Sequence, residues 1–457
     1  MPKGGDLHNH LSGTPYAEDF LDWAAAKGYC ADRQTGALRA PPCAAADSLS
    51  RIASESPYIY ARIVDHHSTR GWQQGIDVNE VSGHTQFFIT FDRLGVIEGR
   101  DLVPGMMAVT LRTIAGDNAA YLELMHNPRE MMAWVMAGSA GQLDEAGLEA
   151  RLESELPGLA VELQRARAQL DADEAEVQAL LGCGTDRAES ACGLKVNYLA
   201  SAMRALPPGQ VFRSLLMGFA LADADPRYVG VNIVMPEDWP VALRDYDLHM
   251  AMFRVLKQRY PGVNITMHAG ELAQGLVPPR HLKDHIAKAI SSGAQRIGHG
   301  VGIANETEAE TTLRHMESER IPVEINLSSN AVILGIEGNE HPLALYRRYG
   351  VPVMLSTDDL GILRTDLTTE YVRAVRDQDL EYADLVKLSR ASLEYAFIAG
   401  ESLWRDGVMG RRVDACRTSL EAAACRSFLQ ANEKAGLQAE YEVRLRAFEE
   451  AIVNFPE

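Results

Sequence analysis

A short apolar or glycine-rich stretch that runs into histidine or carboxylate recurs four times in this chain. Val263-Asn264-Ile265-Thr266 leads into Met267-His268-Ala269-Gly270-Glu271. Gly5-Asp6-Leu7 leads into His8-Asn9-His10, and Arg296-Ile297-Gly298 into His299-Gly300. Val353-Met354-Leu355-Ser356-Thr357 leads into Asp358-Asp359. Side chains at i and i+2 of a strand point the same way, so His8 and His10 can grip one ion. Polar residues at the carboxyl ends of several separate strands are how a (β/α)8 barrel builds an active site.

Strand patterns fall at 4–10, 121–125, 194–199, 229–234, 263–268, 295–299, 323–327 and 352–357, with helical patterns between them. This alternation predicts an α/β fold, a TIM-type (β/α)8 barrel. Periodicity alone does not separate a closed barrel from an open sheet. The argument for closure is that the polar clusters come from the first, fifth, sixth and eighth strands, and the first and eighth are neighbours in a barrel. The chain has 457 residues, well above the ~250 of a typical barrel. We read residues 1–457 as one barrel domain with helical insertions after the first and second strands, at about 28–100 and 129–190. A helical tail follows at about 367–457. The insertions either cover a pocket or form an interface; the sequence leaves that choice open.

The formal charge of −19 disfavours nucleic acid or anionic lipid as partner, since both need a basic face. No apolar run approaches the ~20 residues of a membrane span, and no signal peptide is visible. Met1 stands only a few residues before the first strand, so an upstream segment is expected to be missing. The cysteines fall in three local pairs, Cys30/Cys43, Cys183/Cys192 and Cys416/Cys425. Close pairing points to disulfides and a periplasmic or secreted protein; six free thiols in the cytoplasm are the alternative.

Three neutral imidazoles and one carboxylate suit Zn²⁺, one ion per chain. His8, His10 and His268 supply nitrogen and Asp358 oxygen. Zinc lowers the pKa of a water ligand toward ~7. Glu271 is badly placed for a further ligand and reads as a general acid. His299 acts as a base toward that water or as an electrostatic clamp. Asp359 points away from Asp358 if the strand is still extended there, and is expected to accept a hydrogen bond from a substrate ring. Each piece alone is a weak signal: an isolated His-x-His is common, and Asp358-Asp359 could simply cap a helix. His66-His67 is read as structural, and His126, His281, His285 and His341 as surface or satisfied. The fourth strand carries Asn232 and no lysine to bridge a second metal.

His8-Asn9-His10-Leu11-Ser12-Gly13, His268-Ala269-Gly270-Glu271, Gly298-His299-Gly300 and Ser356-Thr357-Asp358-Asp359 together resemble the zinc-dependent adenosine deaminase family of the amidohydrolase superfamily. Lys3-Gly4-Gly5-Asp6-Leu7-His8 and the cysteine-bearing insertion look most like its secreted, growth-factor-related branch. The resemblance implies removal of the 6-amino group of a purine nucleoside: adenosine, and 2′-deoxyadenosine, become inosine and ammonia. Zinc-activated water attacks C6 while Glu271 protonates N1, and His299 serves as base or orients the water. Asp359 faces N7. The secreted branch also suggests a homodimer. Two departures stand out. Leu11-Ser12 replaces an acidic residue that holds the ribose, and Met235-Pro236 replaces a turn whose backbone touches the purine; Pro236 removes an N–H. Another aminopurine or a modified adenosine is the alternative substrate.

Overall fold

The computed structural model describes residues 1–72, 81–97, 99 and 102–453. The strands that position the site are β1 (Lys3–His10), β2 (Ala119–Met125), β3 (Lys195–Met203), β4 (Tyr228–Val234), β5 (Thr266–Ala269), β6 (Arg296–His299), β7 (Val323–Ile325) and β8 (Val353–Leu355). β1 to β4 pair in sequence order as one parallel sheet, and β5 to β8 as another. Single parallel bridges join Val231 of β4 to Ile265 and Asn9 of β1 to Asp358. Every residue of β2, β5, β6, β7 and β8 is buried, which is why these strands read as apolar runs rather than alternating ones.

The helices between strands carry an apolar face for this sheet. Pro208–Ala224 packs on β3 and β4 and is buried along most of its length; its sequence is apolar nearly all round, as a doubly covered helix requires. Proline opens this helix and the next, Pro240–Arg259, where the missing N–H costs nothing. The tail is fastened to the strands. Leu7, Tyr121 and Met354 form one apolar cluster with Val386 and Leu393 of Tyr382–Glu394 and with Tyr441 and Leu445 of Glu433–Val453. Ser392 Oγ accepts the Gly5 N–H at 2.7 Å. Asp117 accepts the N–H groups of Leu367 and Thr368 at 2.9 and 3.1 Å, capping the first tail helix.

Several boundaries differ from the sequence pattern. β7 stops at Ile325 because Leu327–Leu334 begins a helix directly after it. β8 stops at Leu355, three residues short of Asp358, whose φ is +60°. The helical pattern between the fifth and sixth strands forms not one helix but a 3₁₀ turn, Pro279–Leu282, and a short helix, His285–Ser291. The first insertion holds a hairpin of Cys30–Ala31 with Leu38–Arg39 and helices Leu49–Glu55, Pro57–His66 and Gly83–Leu94. The second holds Arg129–Ala137 and the long helix Leu148–Leu180.

All three cysteine pairs are disulfide-bonded. No helix among the described residues is long and apolar enough to cross a membrane. Alkylation of the denatured native protein is therefore expected to add no mass until a reductant is supplied, and then to modify all six cysteines; label taken up without reductant would contradict the pairing.

Candidate active site

The polar clusters converge at the carboxyl ends of β1, β5, β6 and β8. His8 Nε2 lies 3.0 Å from His268 Nε2 and 3.5 Å from Asp358 Oδ1. His10 Nε2 lies 3.2 Å from both His268 Nε2 and Asp358 Oδ1. What stands behind the rings fixes their tautomers. His8 Nδ1 donates to Glu324 Oε2 at 2.7 Å. His268 Nδ1 donates at 3.0 Å to Asn232 Oδ1, which also accepts the His268 N–H at 3.1 Å. In the neutral rings both Nε2 atoms therefore turn lone pairs toward each other, an unfavourable contact without a cation beside it. Burial opposes protonation of His8, yet Asp358 and Glu324 outweigh it and raise the ring to about 10. A divalent metal would supply the same positive charge, and this nitrogen and carboxylate donor set fits one. The ligand atoms of His8, His268, His299 and Asp358 lie within 4.8 Å of one another, as do those of His10, Asp358 and Asp359. His299 stands farther back, its Nε2 3.9 Å from Asp358 Oδ2 and 3.8 Å from Glu271 Oε1.

A buried ionic layer supports the histidines from below. Glu324 Oε1 accepts from Arg296 Nε at 2.6 Å and from Thr266 Oγ1 at 2.8 Å. Arg296 also pairs with Glu123 and lies 3.9 Å over the Phe397 ring. Burial favours protonating Glu324, but the Arg296 charge and the His8 bond hold it well below the usual carboxylate range.

Glu271 is buried, and both burial and the nearby Asp358 raise its carboxyl well above the ordinary range. Both effects favour its protonated form, which can donate. Burial depresses His299 to about 3, leaving a neutral ring whose Nδ1 meets Asn330 Nδ2 at 3.0 Å. The expected divergence of Asp358 and Asp359 is corrected by the fold. The backbone at Asp358 is left-handed rather than extended, so strand alternation ends before it, and both carboxyls line one cavity. Burial and Asp358 raise Asp359 to about 8, which favours its protonated form. Gly13 lies against Asp359, and a Cβ there would overlap that side chain.

Two further groups were not singled out in the sequence. Glu237 is fully buried; it accepts the N–H of Gly270 at 3.2 Å and of Glu271 at 2.9 Å, and is bonded by His285 Nδ1 at 2.5 Å. Arg204 Nη2 donates to the carbonyls of His268 and Ile233 at 2.8 and 3.0 Å. Together they grip the backbone that carries His268 and Glu271. The only local hint was a charged residue beside Pro236. His285 and His341 are buried and hydrogen-bonded, as expected of satisfied histidines. His126 is not: it is buried, lines the cavity, and its Nε2 makes no hydrogen bond. The cavity is about 780 Å³. Its walls include the Gly83–Leu94 helix, so part of the first insertion covers the pocket.

The adenosine deaminase family model matches residues 96–404. The adenosine deaminase of Shewanella halifaxensis is 29% identical over 220 residues, covering 48% of this chain and 61% of that enzyme. The chain spans 51 to 61% of the length of the first curated relatives it matches. Among solved structures, the N6-methyl-AMP deaminase of Arabidopsis is 23% identical with a TM-score of 0.54, over 87% of this chain and 93% of that one. An amidohydrolase from Burkholderia ambifaria, solved with bound zinc, is 16% identical with a TM-score of 0.54, over 96% and 93%.

Glu237→Gln keeps the size of the side chain but puts an NH₂ group against backbone donors. Because small misplacements of a reacting group can cost ~10²-fold, kcat is expected to fall by about 10²-fold with bound metal retained. A kcat within about twofold of the parent would show that the grip on Glu271 is not needed.

Proposed function

The chain belongs to the adenosine deaminase family, and from that premise we propose that it is a hydrolytic deaminase converting adenosine and 2′-deoxyadenosine to inosine and ammonia. One observation carries this reading: His8, His10, His268 and Asp358 converge as metal-type donors, and all but His8 line one cavity with the Glu271 carboxyl and the His299 imidazole. A second reading, deamination of another aminopurine or a modified adenosine, is favoured by Ser12 and by Met235-Pro236 on the cavity wall.

We read β1 to β8 as one closed barrel and residues 1–457 as a single domain; the bridges Val231–Ile265 and Asn9–Asp358 support closure. His8, His10, His268 and Asp358 would hold one zinc ion, with the zinc of the Burkholderia ambifaria amidohydrolase supporting the choice of metal. Zinc supplies there a Lewis acid that makes water nucleophilic at neutral pH. Glu271 delivers its proton to ring N1 as water adds to C6. His299 is held with Nδ1 accepting from Asn330 Nδ2, so its Nε2–H faces the water and orients it, while the water's proton passes to the departing amine. Asp359, protonated, donates to ring N7. The C6–N bond then breaks and ammonia leaves. The disulfides support an oxidising compartment, periplasmic or extracellular, and the secreted-branch resemblance alone suggests a homodimer.

Adenosine incubated with the zinc-loaded protein is expected to shift to the ultraviolet spectrum of inosine. Turnover confined to another aminopurine would move the substrate, and silence across such a panel with one zinc bound per chain would reject the deaminase reading. Glu271→Gln is expected to lose about 10²–10⁴-fold in kcat with zinc content unchanged; turnover equal to the parent would remove Glu271 as the acid. Activity needs the protonated acid, so it is present below the Glu271 pKa and lost as pH rises through it. Because that pKa is raised, the alkaline limb of kcat/KM is expected far above the ordinary carboxylate range.

A further inference from the structure

We propose that the pocket is built for a 6-aminopurine nucleoside whose end remote from the reacting amine is apolar and uncharged. This rests on the deaminase reading, which puts the amine against the polar floor formed by His268, Glu271, His299, Asp358 and Asp359. The rest of the ligand then faces the walls. Those walls come from separate elements and are mainly apolar. Phe88 and Phe91 project from Gly83–Leu94, Met106 from Leu102–Gly116, and Met132 from Arg129–Ala137. Met203 ends β3, and Trp239 precedes the Pro240 helix with its ring 6.5 Å from that of Phe88. Aromatic rings give a large apolar surface, and methionines fit irregular shapes.

Apart from the floor groups, the acidic residue among the described residues of these walls is Asp92. Asp238 Oδ1 is held at 3.0 Å by His84 Nε2, so that imidazole is already engaged. Lysine and arginine are absent from the described lining. A phosphate entering here would lose water, gain no lysine or arginine partner among the described lining residues and meet the charge of Asp92. An apolar group would instead displace water from surface that gains by losing it. A volume of about 780 Å³ lies toward the upper end of the ~300–1,000 Å³ usual for small-ligand pockets, leaving room for such a group.

The test compares kcat/KM of the zinc-loaded protein for 5′-deoxy-5′-(methylthio)adenosine, adenosine and AMP. One extra apolar group in a fitted pocket is worth roughly 10–200-fold. The methylthio nucleoside is therefore expected to exceed adenosine by about tenfold or more, and AMP to fall below adenosine. Phe88→Ala and, separately, Trp239→Ala are expected to bring the methylthio-to-adenosine ratio toward about one, a readout that a general loss of stability would not move. AMP turned over as well as the methylthio nucleoside, or adenosine preferred over it, overturns this proposal and leaves the deaminase reading intact. No turnover of any of the three overturns that reading. Calorimetric binding then decides the pocket: tightest binding of the methylthio nucleoside supports the proposal, and tightest binding of AMP rejects it.

Discussion

Two imidazole nitrogens held 3.0 Å apart set the terms for the rest of this fold. Left neutral, their lone pairs oppose each other, and the strands that carry them would be pushed apart. The contact survives because a proton or a metal ion can sit beside it and because each ring is locked from behind. Glu324 holds His8 and Asn232 holds His268, so neither ring can turn to escape. This explains why ionic groups rather than aliphatic side chains fill the space beneath them. Glu324 cannot stay ionised in the interior alone; Arg296 neutralises it, and Glu123 balances Arg296. Removing one partner of such a buried pair typically costs ~3–5 kcal/mol. The layer is therefore better understood as the cost of aiming two histidines than as a source of stability.

Backbone strain gathers at the same strand ends. Met235, His299 and Asp358 all have positive φ, a conformation that costs of order 1–3 kcal/mol for each non-glycine residue and persists only where neighbours over-determine it. The neighbours here are identifiable. The Asp358 N–H donates to the His8 carbonyl at 2.8 Å, and the His10 N–H to the Asp358 carbonyl at 3.2 Å. Each fixes the other, so the left-handed turn at Asp358 is a consequence of bringing its carboxylate to His8 and His10. Gly270, at φ +71°, bends the chain so that its own N–H and the next reach one carboxylate, that of Glu237.

What the sequence revealed follows from how local each signal is. His8 and His10 share a face because strand alternation needs only two residues of context. The histidine and carboxylate clusters were visible because each lies next to its own apolar run, and the cysteine pairs because 13, 9 and 9 residues separate their members. The direction of Asp359 was legible only on the condition that the strand stays extended, and the backbone turns at Asp358. Glu237 and Arg204 escaped notice because their meaning is tertiary. Glu237 acts 33 and 34 residues away on Gly270 and Glu271, and Arg204 acts 64 residues away on His268. No periodicity links such positions. His126 was hidden likewise, since a histidine after a strand is buried or exposed only according to which helix covers it.

The first insertion shows how chemistry and recognition are divided along the chain. The floor groups sit at strand ends, where backbone pairing fixes them to their neighbours. Phe88 and Phe91 sit on a helix that packs on the helices Leu327–Leu334 and Leu360–Leu363, and most of that insertion precedes the span 96–404 that matches the family. Strand ends cannot drift without breaking the ladder that aligns His8 with His268. A helix laid over the mouth can shift or exchange side chains while the floor stays intact. Variation in what such a protein accepts is therefore easier to build into the insertion than into the sheet. An apolar wall above an ionic floor is the form that arrangement takes here.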